Sequence, residues 1–303
     1  MNDNVNVKEN INKKKDGKAK KVSPKLRRQC QAWFRIAVQV LFFLAAPSVY
    51  SASFTAVKNA FTAIGSGQPL EFNAFAIRFL IVIVYTILFG RFFCGWACAF
   101  GALNDWVYRF FQFLFKKLGF KTPKMSDRMI ALLQWLKYVV LIAILVLCFV
   151  GKSSLVNQYS PWTVFSLIRS GNFAALKTFM VGIVILLLLM VGMIFHERFF
   201  CQFLCPMGAI FSMLPIMPFF RLKRDAASCP EKCGACQKVC PVNLLMEEDS
   251  MKMGECIRCG RCSGICPRGN ISSCGIFKGD EFWMDGLKAI ALLALILASE
   301  WIG

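Results

Sequence analysis

Four long apolar stretches constrain the fold of this chain more than any other feature. They cover roughly residues 33–50, 74–92, 130–150 and 179–195, and each is near the ~20 residues that an α-helix needs to cross a hydrocarbon core of ~30 Å. Lipid cannot satisfy exposed backbone amides and carbonyls, so stretches of this length predict membrane-spanning helices. A hydrophobic content of 57% agrees with a polytopic membrane domain.

The positions of the 36 lysines and arginines predict the orientation of these helices. Eleven lie in the tail up to Arg35, eight between Arg91 and Lys137, and twelve between Arg198 and Lys288. Loops rich in lysine and arginine stay in the cytoplasm. We therefore expect a multi-pass protein of the cytoplasmic (inner) membrane with its N-terminus and cysteine-rich segment in the cytoplasm. Because topology accounts for the net charge of +19, we expect no nucleic-acid partner.

Eight of the fifteen cysteines form two runs between Cys229 and Cys266. The second run, residues 256–267, matches the bacterial ferredoxin pattern C-x2-C-x2-C-x3-C-P. The first run, residues 229–241, has one extra residue in its first interval, where we expect a local bulge. In two-cluster ferredoxins the fourth cysteine of each run binds the cluster of the other run. We therefore predict two [4Fe–4S] clusters, one held by a first ligand set (Cys229, Cys233, Cys236 and Cys266) and one by a second ligand set (Cys240, Cys256, Cys259 and Cys262).

The alternative for these runs is zinc bound by paired C-x2-C elements. Two consecutive four-cysteine runs, each closed by a proline, favour iron–sulfur clusters instead. The prediction that these cysteines lie in the reducing cytoplasm also argues against disulfides.

A sequence repeat at an offset of 107 residues relates the two halves of the apolar region. Each copy follows an apolar stretch that enters from the same side, which predicts a duplicated helical hairpin in parallel orientation. The first apolar stretch also resembles a cleaved signal peptide, but its place in the repeat favours an uncleaved anchor. The matching residues are Arg91, Phe92, Phe93, Cys94, Cys98, Gly101 and Ala102 in one copy and Arg198, Phe199, Phe200, Cys201, Cys205, Gly208 and Ala209 in the other.

The repeat supplies two C-x3-C pairs, Cys94 with Cys98 and Cys201 with Cys205. On a helix, residues four apart share a face, so each pair is expected to point its sulfurs in one direction. If the repeats face each other, these residues form a membrane tetrad of four thiols that could bind a third iron–sulfur cluster. Redox or persulfide thiols and simply buried cysteines are the two alternatives.

These features predict an all-α polytopic membrane domain, with a duplicated hairpin and four or five spans, joined to a small α+β two-cluster ferredoxin-like domain. The segment after residue 281 is apolar but carries Asp285 and Lys288, so it is either a fifth span or an interfacial helix. The predicted boundaries are 1–31 for a basic cytoplasmic tail, 32–218 for the transmembrane domain, 219–280 for the ferredoxin-like domain and 281–303 for the last helix.

The duplicated C-x3-C pairs followed by a two-cluster ferredoxin segment resemble the NapH/NosR-type membrane polyferredoxins over residues 32–270. That family includes the quinol dehydrogenase membrane subunit of periplasmic nitrate reductase. Its pattern is C-x3-C-P in both repeats, and this chain has Pro206 after Cys205 but Ala99 after Cys98. That departure removes the helix-stopping proline from the first pair.

The resemblance implies electron transfer between a cytoplasmic donor, such as a ferredoxin, or a quinone pool and a redox partner in the membrane or outside it. The expected partners are other subunits of a membrane redox complex, such as an extracytoplasmic reductase or flavoprotein. We find no nucleotide-binding glycine motif and no Ser/His/Asp set in usable context, so the chain is expected to act as an electron-transfer subunit of an oxidoreductase without a substrate-converting site. The alternative is a redox-active maturation or regulatory factor for another metalloenzyme.

Overall fold

The computed structural model describes residues 24–69, 74–120, 125–217, 222–225, 229–230, 233–244, 254–266, 268, 270–273 and 281–302. Most of the predicted basic tail, residues 1–23, lies outside the described residues. The described part is mainly helical, with two short strands. In chain order the elements are α1 (Pro24–Ala45), α2 (Val49–Ser66), α3 (Ala74–Phe89), α4 (Phe92–Trp96), α5 (Ala99–Leu118), α6 (Asp127–Gln134), α7 (Leu136–Phe149), α8 (Ser153–Gln158), α9 (Pro161–Arg169), a 3-10 helix (Ala174–Phe179), α10 (Met180–Phe195), α11 (Phe199–Phe203), α12 (Pro206–Met213), β1 (Leu222–Arg224), α13 (Ala235–Lys238), α14 (Arg261–Ile265), β2 (Ile271–Ser273) and α15 (Glu281–Ile302).

Two helical segments in the described chain, Asp127–Phe149 and Ala175–Phe195, are long and apolar enough to cross a membrane. A third candidate is a bent pair, Arg28–Ala45 with Val49–Ser66, whose axes differ by 59°. The break falls beside Pro47, which has no N–H to continue a helical ladder. The first apolar stretch, expected over residues 33–50, is therefore divided between two helices, of which α2 packs against α3 and α7.

The two sequence repeats fold into the same succession of elements. In each, a long apolar helix (α3 or α10) is followed by a five-residue helix that carries the first cysteine (α4 or α11). The next helix, α5 or α12, begins directly after the second cysteine. Ala99 takes the first helical position that Pro206 takes in the other copy, so the missing proline does not change where the helix begins.

The cysteine-rich segment is built around a two-stranded antiparallel sheet that pairs Leu222 with Ser273 and Arg224 with Ile271. Short helices α13 and α14 carry parts of the two cysteine runs. Helix α1 packs against α14, and α15 packs along α3. The Tyr85 hydroxyl on α3 donates to the Lys288 carbonyl of α15 at 2.7 Å. The cysteine-rich segment is thereby held between the first and last helices at one end of the membrane domain.

Candidate metal centres

The membrane tetrad forms where α4 and α11 end. Cys98, Cys201 and Cys205 are buried and Cys94 is half-buried. Burial raises the pKa of the Cys98 thiol, and the neighbouring thiols of Cys201 and Cys94 raise it further. Cys98, Cys201 and Cys205 belong to one buried cluster against which Cys94 packs, so the described structure brings the two pairs into one region.

The two cysteines of each pair do not share one helical face, contrary to the expectation from their spacing. Cys94 lies in α4, whereas Cys98 is the N-cap of α5 with φ −67° and ψ 117°, an extended conformation. Cys205 caps α12 in the same way, with φ −72° and ψ 113°. The helix breaks between the paired cysteines, and convergence of the sulfurs comes from this turn.

Hydrogen-bond donors surround the tetrad sulfurs. The Gly208 amide donates to Cys205 Sγ at 3.2 Å, and the Tyr50 hydroxyl lies 3.5 Å from the same sulfur. Arg198 Nη1 lies 3.9 Å from Cys201 Sγ. Donors and a positive charge stabilise thiolates, which are the forms that bind iron. These donors act against burial, which is the larger effect and raises the pKa of the Cys201 and Cys205 thiols.

The arginine of each repeat, Arg91 or Arg198, extends into the other repeat. Arg198 donates to the Cys94 carbonyl at 2.6 Å, and a Cβ at Gly101 would lie 2.5 Å from its Nη1. Reciprocally, a Cβ at Gly208 would lie 3.2 Å from Arg91 Nη2. Each arginine thus occupies space that the matched glycine of the other repeat leaves free. The sequence repeat contained all four residues, but it did not reveal this exchange.

A buried carboxylate that the sequence analysis missed, Asp105, joins the first repeat to the second repeat and to α1. Arg198 Nε and Nη2 each donate to Asp105 at 2.7 Å. Arg35 forms an ion pair with the same carboxylate, and Gln39 Nε2 donates to it at 2.9 Å. Burial by itself would raise the pKa of Asp105, but Arg198 and Arg35 hold it well below its usual range. The only signal in the sequence was an acidic residue just after a C-x3-C pair.

The second ligand set lines one cavity in the cysteine-rich segment. Burial first, and then the thiols of Cys259 and Cys256, raise the pKa of Cys240 to about 12. Metal binding must remove such protons, since thiolates are the ligands. The cavity walls are otherwise largely apolar, which is typical of a shielded iron–sulfur site. Its lining includes Cys240, Cys256, Cys259 and Cys262 together with Leu222, Val242, Leu244 and Ile257.

The first ligand set is arranged around the start of β2. The Asn270 amide donates to Cys266 Sγ at 3.3 Å, and its side-chain Nδ2 lies 3.7 Å from Cys229 Sγ. Cys229, and also Cys236 and Cys233, raise the pKa of Arg224 on β1. The Asn270 contacts place Cys229 and Cys266 at one end of the sheet, and Cys233 and Cys236 lie near enough to raise the pKa of Arg224.

No three His, Cys, Asp or Glu side chains in the described part of the chain converge closely enough to hold a single metal ion.

The second run packs directly on the membrane tetrad. Cys94 contacts both the buried core of the membrane domain and the buried core of the cysteine-rich segment. Trp96 Nε1 donates to the Arg258 carbonyl at 2.9 Å, and a Cβ at Gly95 would clash with the Ile257 carbonyl. The second ligand set is therefore the one in contact with the tetrad region.

Comparison with known proteins shows which family this chain belongs to. The chain is 32% identical to the uncharacterized protein MJ0750 of Methanocaldococcus jannaschii over 66% of this chain and 79% of that relative. It is 29% identical to the ferredoxin-type protein NapH of Haemophilus influenzae, over 62% of this chain and 63% of the relative. It is 27% identical to the regulatory protein NosR of Pseudomonas aeruginosa, over 58% of this chain and 24% of NosR. The chain belongs to the NapH/NosR-type family of membrane ferredoxin-type proteins.

A family model described as a 4Fe-4S binding domain matches this NapH/NosR-type protein in two segments, residues 74–118 and 178–221. These segments contain the two C-x3-C pairs and end before the first ferredoxin-type run. The family membership confirms the resemblance based on the cysteine motifs. No solved structure matches the chain.

Proposed function

We propose that this protein is a membrane-bound electron-transfer subunit that carries three iron–sulfur clusters. The first and second ligand sets would each hold one [4Fe–4S] cluster, and the membrane tetrad would hold the third. Bound clusters of this kind accept and donate single electrons, while the protein supplies ligands, orientation and shielding.

The observation that carries this proposal is the position of Cys94 between two buried cores. It makes the tetrad and the second ligand set neighbours across a packed interface. The Trp96 indole and the Arg258 carbonyl join the two sides by a hydrogen bond. Three of the four tetrad cysteines are buried, and so are the bulky repeat side chains Phe92 and Phe200.

We propose that the protein lies in the inner membrane. The charge distribution supports an orientation with the cysteine-rich segment in the cytoplasm. The first and second ligand sets then lie on the cytoplasmic side, whereas the hydrocarbon core is ~30 Å thick. Delivery of electrons to an outside acceptor requires a further carrier, which we propose to be a quinone, or an extracytoplasmic reductase or flavoprotein subunit. A cytoplasmic ferredoxin would serve as the partner on the other side.

A cavity beside the tetrad supports the quinone proposal. Its volume is about 220 Å³, and Tyr50, Ala99, Phe100 and Trp162 contribute to its lining. The Tyr50 and Trp162 rings stack with centroids 5.8 Å apart. Flat aromatic walls with a few polar groups suit a small planar ligand.

Iron analysis tests the third cluster against redox thiols and inert buried cysteines. The anaerobically purified protein should contain about twelve iron atoms per chain, and the C94A/C98A/C201A/C205A variant about eight, since each cubane holds about four. The matched control is C30A/C148A, which removes two cysteines outside the proposed ligand sets. Equal iron in the wild type and the tetrad variant would refute the third cluster.

A vesicle assay tests the need for a partner. The protein reconstituted alone should accept electrons from a cytoplasmic-side donor but fail to reduce a membrane-impermeant acceptor on the other side. Added quinone or the partner subunit should restore that reduction. Reduction without either would contradict the proposal.

A redox-active maturation or regulatory role is the second candidate, and the name of NosR, a regulatory protein, favours it. The chain covers only 24% of NosR, so that name describes a protein with much additional sequence. Deletion of the gene separates the two functions: loss of respiratory electron flow with a mature terminal enzyme supports the electron-transfer role. An immature terminal enzyme supports the maturation role.

A further inference from the structure

The two repeats differ at one position that their shared architecture makes important. In the first repeat, Asp105 binds the repeat arginine of the other copy, Arg198, and a basic residue of an earlier helix, Arg35. At the same offset of 107 residues the second repeat has Ser212. The second repeat therefore has no carboxylate of its own for the corresponding cations.

Glu255, from the cysteine-rich segment, provides a carboxylate at this place. Arg91 Nη1 donates to its Oε2 at 2.9 Å, and Lys137 forms an ion pair with its other oxygen. The Tyr138 hydroxyl lies 3.4 Å from Glu255 Oε1 and 2.9 Å from Ser212 Oγ. Glu255 thus lies beside the residue that replaces the missing acid.

The backbone next to Glu255 also packs closely against the second repeat. A Cβ at Gly254 would clash with the Ser212 carbonyl, so only glycine permits this approach. Arg91 Nη1 also donates to the Gly254 carbonyl at 3.2 Å.

The two carboxylate sites are built alike. Each combines the repeat arginine of the opposite copy with a basic residue from a helix that begins before the repeat. The difference is that Asp105 belongs to the membrane domain, whereas Glu255 directly precedes Cys256 of the second ligand set. Closing the second site therefore also fixes the second run on the membrane domain.

We propose that Glu255 is a positioning residue that docks the second cysteine run onto the membrane domain by supplying the carboxylate that the second repeat lacks. This inference rests on the proposed function in one respect: docking matters for electron transfer only if the second ligand set and the tetrad both hold clusters. The docking contact itself does not depend on whether the protein transfers electrons.

The burial of the two cations makes loss of this contact more costly than loss of the Glu197–Arg261 ion pair at the same interface. The side chains of Arg91 and Lys137 are 2% and 0% exposed. Without Glu255 both charges stay buried without that partner, which strongly destabilises a packed site. The Glu197–Arg261 ion pair also joins the membrane domain to the cysteine-rich segment, but Arg261 is 24% exposed and can be hydrated when its partner is removed.

Hydrogen exchange of the cluster-loaded, full-length protein in detergent tests the docking. E255Q keeps the shape of the side chain and removes its charge, and E197Q is the matched control. Loss of a buried charge pair predicts about 100-fold lower protection of amides in residues 254–262 for E255Q and less than tenfold for E197Q. Protection in E255Q that stays within about threefold of the wild type would overturn the inference.

A relocated carboxylate separates docking from simple charge balance. S212D/E255Q returns the acid to the second repeat, where Arg91 and Lys137 can bind it without the cysteine-rich segment. This variant should recover the thermal stability of the membrane domain while protection of residues 254–262 remains low. S212D/E255Q also tests the docking role if E255Q alone fails to fold. Restored protection of residues 254–262 in the double variant would overturn that role.

The iron content of the same samples separates this inference from the proposed function. Wild-type iron near eight atoms per chain would remove the third cluster without affecting the exchange result. Normal iron with unchanged exchange would remove only the docking role.

Discussion

Replacement of Asp105 by asparagine is the most informative single perturbation of the membrane domain. D105N preserves the size of the side chain but removes the charge that two arginines share. Arg35 and Arg198 are 2% and 0% exposed, and Asp105 itself is 0% exposed. Breaking a buried ion pair by removing one partner costs about 3–5 kcal/mol.

That cost converts into a measurable shift of the unfolding midpoint. With a urea dependence of about 2 kcal/mol per molar, the midpoint should fall by about 1.5–2.5 M. Tryptophan fluorescence during urea unfolding in mild detergent measures it. R35M combined with D105N should recover part of the loss, since one of the two unpaired cations is then absent.

The matched control is D127N, which removes an exposed carboxylate from the first turn of α6. An acid at an exposed helix N-terminus contributes about 0.3–1 kcal/mol, so the midpoint should move by less than about 0.5 M. If D105N and D127N shift the midpoint equally, the buried carboxylate does not stabilise the domain and the reasoning is wrong.

Three further predictions concern the close contacts and the charged surface. G95A should displace the second run, because the added Cβ clashes with the Ile257 carbonyl, and faster hydrogen exchange of residues 254–262 would show it; G234A, whose Cβ meets open space, is the control. G101A should lower thermal stability more than G208A, because its Cβ would lie 2.5 Å instead of 3.2 Å from the nearest arginine nitrogen; equal losses would contradict this. Reduction by an acidic ferredoxin should slow as salt rises if the basic cysteine-rich segment is the docking surface, and a salt-independent rate would exclude that surface.

Local cysteine spacing and the repeat predicted much of the candidate site. The second run was recognisable because ligand spacing is a local property, and Cys240 could be assigned to it from the pattern of crossed fourth ligands. The offset between Arg91 and Arg198 predicted two equivalent copies in parallel orientation. Both predictions use only the spacing of residues along the chain, which can be read directly from the sequence.

The remaining features depend on contacts between distant segments. The spacing of Cys94 and Cys98 suggested one helical face, but the extended N-cap at Cys98 breaks the helix. Ser212 showed that the second repeat lacks an acid, yet no local rule connects that absence to Glu255. Such a pairing is determined by how the cysteine-rich segment packs on the membrane domain.

The most direct test of the account is an anomalous-difference map at the iron absorption edge for the anaerobically purified protein. Iron is expected at three places: between the cysteines of the first ligand set, in the cavity of the second ligand set, and at the membrane tetrad. Iron at the first two places with none between Cys94, Cys98, Cys201 and Cys205 would contradict its central claim.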